Sequence, residues 1–211
     1  MNFYAEHDTD KIIREKYFSD YDYKGVIVEV GAATPDLIST TKHFKESGWR
    51  CIHIEPNPEF VKLHLESGNE IYEYACSDKD EDGVDFTVVS VSGNVGYDNI
   101  SDHSYSSFHV KEGYRNLDIN FFESLPKKLI KVNVRKLDTI LSDIDVKNID
   151  VLSVDTEGWE IEVMKGLSMI SPKLIILENL LHLDSYTEYM LERGYNLVLE
   201  QFGNYFYEKV R

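Results

Sequence analysis

From residue 24 onward, short β-branched runs alternate with stretches whose apolar residues recur every three to four positions, predicting strands that alternate with helices. Val26 to Val30 predicts a buried first strand. Thr34-Pro35 then offers an N-cap and a first-turn proline for a helix carrying Leu37, Thr41 and Phe44 on one face, stopped at Gly48. Arg50 to Ile54 predicts the second strand, and Asn57-Pro58 restarts a helix that turns Phe60 and Leu63 inward and closes near Gly68. Ile71 to Cys76 predicts a third strand. Val84 to Val91 and Ile130 to Val134 alternate like half-exposed strands, which extend the sheet or form a small side ribbon. Asp150 to Val154 is the next core strand, followed by a helix from Trp159 to Lys165 with a stop at Gly166, and Leu174 to Leu177 is another buried strand. Ser185-Tyr-Thr-Glu188 has the form of a capping box opening a last helix that ends at Gly194. Tyr195 to Glu200 and Tyr205 to Glu208, around Gly203-Asn204, predict a closing antiparallel hairpin.

This order predicts an α/β fold with a doubly wound, mostly parallel seven-stranded sheet ending in that hairpin. The 211 residues suit one domain with a sizeable core, 1–211, in which 1–23 forms a helical lead-in. The segment 92–125 breaks the alternation. It is long, polar and rich in Ser, Asn, His and Tyr, and loops of that length are uncommon unless functional or disordered. Its aromatics Tyr97, Tyr105, Phe108 and Tyr114 argue against plain disorder, so a substrate-facing insertion is expected. The alternative is a solvated insertion with a short helix around Phe121-Phe122.

Charge narrows the partners. Against 22 basic residues stand 38 acidic ones, a formal −16, with no basic cluster beyond Lys127-Lys128 and Lys131. Binding nucleic acid requires a basic surface that replaces phosphate counterions, so no nucleic-acid partner is expected. There is no apolar run long enough to span a membrane and no signal-peptide pattern at the start, and Cys51 and Cys76 sit inside apolar strands like buried small hydrophobes. The expectation is a cytoplasmic enzyme in a reducing compartment.

In open α/β sheets ligands bind beyond the carboxyl ends of the strands, beside the first one. That place holds Glu29, Gly31 and Ala32. A dinucleotide site needs three glycines so that a pyrophosphate can approach a helix N-terminus; here only Gly31 is present, and Glu29 would face the phosphate with a negative charge. A cationic, phosphate-free cofactor fits better, and S-adenosylmethionine carries a sulfonium and an ammonium. The second strand ends in Glu55-Pro56-Asn57, where a carboxylate can accept both hydroxyls of a ribose. The third ends at Cys76-Ser77-Asp78, whose small residues leave room for an adenine.

Several segments resemble the FkbM-type methyltransferases. These are Glu29-Val-Gly-Ala-Ala33, Ile54-Glu-Pro-Asn-Pro58, Tyr74-Ala-Cys-Ser-Asp78 with Gly83 and Phe86, Ser106-Ser-Phe108 and Val134-Arg-Lys-Leu-Asp138. Most specific is Ile149-Asp-Val-Leu-Ser-Val-Asp155-Thr-Glu157-Gly-Trp-Glu160, continuing to Gly166. The resemblance implies a class I methyltransferase fold and transfer of a methyl group from S-adenosylmethionine to a hydroxyl oxygen, often on a sugar or polyketide ring. Glu29 stands where aspartate is usual and keeps the charge, and Ala33-Thr34-Pro35 stands where an asparagine-x-glycine is frequent.

A sugar hydroxyl needs a base as the new bond forms. Asp155, Glu178 and His182 follow neighbouring strand ends and are the candidate catalytic residues, Asp155 also touching the cofactor. Either Asp155 or His182 is the base without a metal, or Asp155, Glu178 and Asn179 hold Mg²⁺. The metal-free reading is preferred, because the oxygen ligands are few and one is an amide. Ser106, Ser107, His109 and Glu157 are candidates for acceptor binding, while Glu160 is expected to serve the helix start and Trp159 the core. The expected acceptor is a sugar hydroxyl of a glycan or glycosylated metabolite, a deoxyhexose such as rhamnose or fucose among them. Two alternatives stay open: methylation of a small non-sugar metabolite, and a non-catalytic cofactor-binding module of a larger glycan-synthesis protein. A homodimer, or a place within a larger glycosyltransferase polypeptide, is compatible with either.

Overall fold

The computed structural model describes residues 2–89, 106 and 126–210. A seven-stranded sheet runs in the order β3 (Glu70–Tyr72), β2 (Arg50–Ile54), β1 (Val26–Val30), β7 (Val151–Val154), β8 (Leu174–Glu178), β10 (Asn204–Lys209), β9 (Tyr195–Gln201). The first five are parallel, and β10 lies antiparallel between β8 and β9. Both faces are covered, so the central strands are nearly continuous apolar runs. Val28, Val30, Ile52, Ile54, Leu152, Val154, Ile175 and Leu177 form one core face. Ile27, Cys51, Val151, Leu174 and Ile176 form the other, against Phe44, Trp49, Phe206 and Ile13. A mixed α/β architecture with a mostly parallel sheet and a C-terminal hairpin is thus present, as the periodicities indicated.

Five further helices are described between or beside the strands: α1 (Thr9–Ile12), α2 (Lys42–Glu46), α3 (Pro58–Glu66), α4 (Leu137–Asp143) and α5 (Glu160–Lys165), with α6 (Asp184–Glu192) preceding the hairpin. A π-type turn, Ile13–Tyr17, extends α1. Asp150 aligns the lower edge of the sheet: its carboxylate accepts from Val26 N at 2.8 Å, the Tyr23 hydroxyl at 2.7 Å and Lys173 Nζ at 2.6 Å. The hairpin turns through Phe202 and Gly203, at φ 50° and 85°, the positive pair that a tight I′-type turn requires.

Three expectations are corrected, and one helix was not expected at all. The helix expected from Thr34-Pro35 begins only at Lys42, because residues 33–41 close as a loop whose Thr40 N–H and Thr41 hydroxyl bond the Glu29 carboxylate; Ser39 Oγ, accepting from Lys42 N at 3.2 Å, serves its start. The expected third strand is two, β3 in the main sheet and β4 (Ala75–Cys76) in a separate sheet of order β4-β6-β5, where β5 is Glu81–Val89 and β6 is Lys127–Arg135. That sheet is the side ribbon foreseen as one of two options. The Ser185 capping box does not form. Helix α6 starts at Asp184, with Leu183 rather than Ser185 at its N-cap, and the Asn179 side chain bonds both Leu183 N and Leu183 O, at 3.0 and 3.1 Å. Helix α4 was not foreseen; Leu137, Ile140 and Leu141 bury its apolar face, and Asp138 ties its first turn to Ser168 N at 2.8 Å and Met169 N at 3.0 Å. The insertion expected at 92–125, with Ser107 and His109, lies outside the described residues except for Ser106.

Candidate active site

The chain runs from β1 to β2 and β3 on one side and reaches β7 and β8 on the other, so the loops leaving the strand ends diverge beside β1. Gly31 ends β1 at φ +80°, its N–H donating to Ile54 O at 2.9 Å. A Cβ there would lie 1.8 Å from Asp155 O, so only glycine allows the β1 turn to approach the end of β7. Beside it, buried Glu29 accepts from Thr40 N at 3.0 Å and Thr41 Oγ1 at 2.8 Å. Buried Glu55 accepts from Asn57 N at 2.8 Å and Ala33 N at 3.1 Å. Loss of solvent pushes each carboxyl up to about 7, the hydrogen bonds opposing it.

Beyond the ends of β7 and β8, carboxylate oxygens of Asp155, Glu157 and Glu178 all lie within 4.8 Å of one another. Glu157 holds a left-handed φ of 56°, followed by Gly158 at 92°. Such a conformation in a non-glycine residue persists only where its surroundings impose it. Glu160 imposes it. Its fully buried carboxylate accepts from Thr156 N at 2.8 Å, Gly158 N at 3.0 Å and the Tyr186 hydroxyl at 2.6 Å. Glu160→Leu is therefore expected to orphan three donors and cost about 3 kcal/mol or more, read as a lowered denaturant midpoint. An unchanged midpoint would show that Glu160 does not hold this loop.

Asp155 faces the cavity, where water reaches it. Its enclosure and the charge of Glu160 nonetheless raise it to about 7, and the hydrogen bond with Glu178 opposes the rise. Glu178 is held well above the usual carboxylate range by burial and then by Asp155, so the pair shares a proton with Glu178 as its holder. Among the described residues Glu178 Oε2 has no hydrogen-bond partner.

Glu29, Glu55, Asp155, Glu157 and Glu178 open into one cavity of about 950 Å³. Of the residues singled out from the sequence, Glu29, Gly31, Ala32, Glu55, Pro56, Cys76, Ser106, Asp155, Glu157 and Glu178 line it. Asn57, Ser77 and His182 do not. Asn57 caps α3, accepting from Glu59 N at 3.0 Å, and Ser77 Oγ donates to Asp78. His182 Nδ1 lies 2.8 Å from the Tyr205 hydroxyl and 3.0 Å from Glu200, at the surface. Asn179 holds Leu183, so the third oxygen brought to Asp155 and Glu178 comes from Glu157 instead. Trp159, expected in the core, is half-buried and lines the cavity. The N-terminal segment was missed altogether. Ala5 bridges to Ile38, and the His7 ring stacks on Phe202 at 4.5 Å, so residues from Phe3 to Thr9 wall the cavity. No local signal in a polar lead-in marks such a long-range contact.

Seven lining residues are acidic: Glu6, Glu29, Asp36, Glu55, Asp155, Glu157 and Glu178. No lysine or arginine lines the cavity among the described residues. The imbalance predicts a pH dependence of stability. Glu29 and Glu55 rise on folding from 4.5 to about 7, so between those values the folded state binds more protons than the unfolded one. Stability from these two groups is full below about pH 4.5 and falls as pH rises to 7, by roughly 3 kcal/mol each at the limit. Without ligand, the denaturation midpoint should be higher at pH 5 than at pH 8. The reverse order would refute the shifts.

A family model described as the methyltransferase FkbM domain matches residues 29–197. Among curated proteins none matches the chain at a significant level. No helix among the described residues is long and apolar enough to cross a membrane.

Proposed function

The chain belongs to the FkbM methyltransferase family, and on that premise we propose that it is an S-adenosylmethionine-dependent O-methyltransferase of the class I fold. The observation that carries this reading is the cavity itself, with seven carboxylates and no lysine or arginine among its described walls. Such a site attracts a cationic ligand and repels a phosphorylated one. The residues fit the cofactor. Gly31 permits close backbone approach, Glu29 faces the ammonium end, and Glu55 ends β2 where ribose hydroxyls need an acceptor. When bound, S-adenosylmethionine supplies an electrophilic methyl group on a sulfonium.

Most of the remaining work is positioning an acceptor hydroxyl in line with that methyl, and taking up its proton. Asp155 is the proposed base, since a carboxylate tuned to about 7 is matched to proton transfer near neutral pH. Glu178, holding the shared proton, keeps Asp155 as the charged member of the pair. Trp159, Phe202 and Asn204 on the cavity wall offer aromatic faces and a small polar group, which suit a sugar of a glycan or glycosylated metabolite, including a deoxyhexose. Mass spectrometry of a panel of glycosylated and non-sugar acceptors incubated with labelled cofactor tests the reading. Label on a sugar oxygen is expected; label only on non-sugar acceptors would move the assignment. No heat of cofactor binding in calorimetry would overturn it.

A second reading rests on the approach of Asp155, Glu157 and Glu178, which is close enough for one divalent cation to bridge them. Turnover surviving exhaustive chelation would remove it.

A further inference from the structure

Behind the β1 turn, Glu29, Thr41 and His53 form a closed line of hydrogen bonds whose protons can be counted. His53 lies beside Glu29 across the sheet, paired to it in register. Its Nδ1 is 2.9 Å from the backbone carbonyl of Glu70. A carbonyl only accepts, so Nδ1 carries a proton. In a neutral ring Nε2 is then bare, and it lies 2.8 Å from Thr41 Oγ1. Thr41 has one hydroxyl proton, yet its oxygen is also 2.8 Å from Glu29 Oε2. If that proton goes to a charged Glu29, bare Nε2 faces an oxygen lone pair. If it goes to His53, a charged carboxylate faces one instead. Ser39 Oγ, at 3.1 Å from Thr41 Oγ1, either gives Thr41 a proton or takes its only one, and neither relieves the deficit. A charged Glu29 with a neutral His53 therefore leaves one acceptor–acceptor contact in a buried place, and the line needs one more proton, on Glu29 or on His53.

We propose that Glu29, Thr41 and His53 form a proton relay, in which His53 takes up the proton that Glu29 gives up when the cationic cofactor binds. The inference rests on the cofactor reading above. The step balances: the Glu29 Oε2 proton passes to Thr41 Oγ1, the Thr41 proton passes to His53 Nε2, and none leaves the protein. Glu29 thereby meets the cofactor as a carboxylate, and the imidazolium stays 4.0 Å behind it.

The surroundings set the resting position. Burial pushes Glu29 up to about 7 and His53 down to about 4, so with no cation at Glu29 the proton rests on the carboxyl. Asp155, facing Glu29 across the β1 turn, favours that state, as do the His64 ring of α3, 4.7 Å from His53, and Lys45 of α2. Among the described residues, Glu70 of β3 favours the imidazolium. A positive ligand at Glu29 reverses the balance. His53 is thus a positioning residue that never touches the cofactor. It also lies, with Thr41, in the wall of a second cleft of about 330 Å³.

The test is ¹⁵N NMR of histidine-labelled protein titrated with S-adenosylmethionine, with saturation established on the same sample by calorimetry in two buffers of different ionisation enthalpy. On saturation the His53 nitrogens should change from one protonated and one bare to both protonated. Thr41→Val should abolish that change and release about one more proton per cofactor than wild type, and Thr41→Ser should restore the wild-type count. A neutral His53 in the saturated protein, or an unchanged proton count in a folded Thr41→Val variant, overturns the relay alone. Absence of cofactor binding overturns the cofactor reading and the relay with it. If Thr41→Val does not fold, the wild-type spectrum decides.

Discussion

Gly31→Ala is expected to abolish cofactor binding and to destabilise the folded chain by about 3 kcal/mol or more. Two independent costs act at this position. A left-handed φ of +80° charges alanine roughly 1–2 kcal/mol. The added Cβ would also sit 1.8 Å from Asp155 O, a backbone atom that no rotamer change can move aside. Relief requires the β1 turn and the end of β7 to separate. That displaces Ala32 and Ala33, and with them the Ala33 N–H held by Glu55, from the cavity wall. Denaturation curves and cofactor calorimetry on the same variant read both effects. Wild-type affinity and midpoint would mean that the turn does not set the cofactor seat.

Asp155→Asn should lower kcat by roughly 10²- to 10⁴-fold, the usual range for losing a general base, with a smaller change in KM for the acceptor. The pH profile carries the sharper sign. The base acts when deprotonated, so wild-type turnover should rise as pH climbs through about 7 and then level. The asparagine variant cannot titrate there, and its residual rate should lose that rise. Stability should change little or improve near neutral pH, since the substitution removes a charge from among Glu157, Glu160 and Glu178. A variant that keeps both the rate and the profile would place the base elsewhere.

Much of the site was legible because it lies at strand ends. Glu29 and Gly31 close the first apolar run, Glu55 the second and Asp155 the run from Val151, and the rule that ligands gather beyond the carboxyl ends of such strands needs only their order. What misled was local chemistry with two possible partners. Thr34-Pro35 has the form of a helix start, but the Glu29 carboxylate captures the Thr40 N–H and the Thr41 hydroxyl, and the segment stays a loop. Asn179 entered the less favoured metal reading as an oxygen ligand, but its amide is held by Leu183. His182 is close in sequence to Glu178 yet turns to Tyr205 of the hairpin, which arrives from the far end of the chain.

The sequence by itself determined where most strands lie, since alternation and apolar runs are read within a few neighbouring residues, but not that Ile71 to Cys76 divides between two sheets. It also determined that the pocket beside β1 would be acidic, because Glu29, Glu55, Asp155 and Glu157 each sit at or just beyond a strand end. Only the tertiary structure decided that seven carboxylates share one cavity, that Phe3 to Thr9 wall it, and that His53 stands behind Glu29 on a shared hydroxyl. Those facts depend on strand order and register, and on chain segments meeting across long separations. Burial then gives that convergence its chemistry, because removing solvent from Glu29, Glu55 and Asp155 raises their pKa values to about 7, and a positive charge placed among them would favour their ionised form.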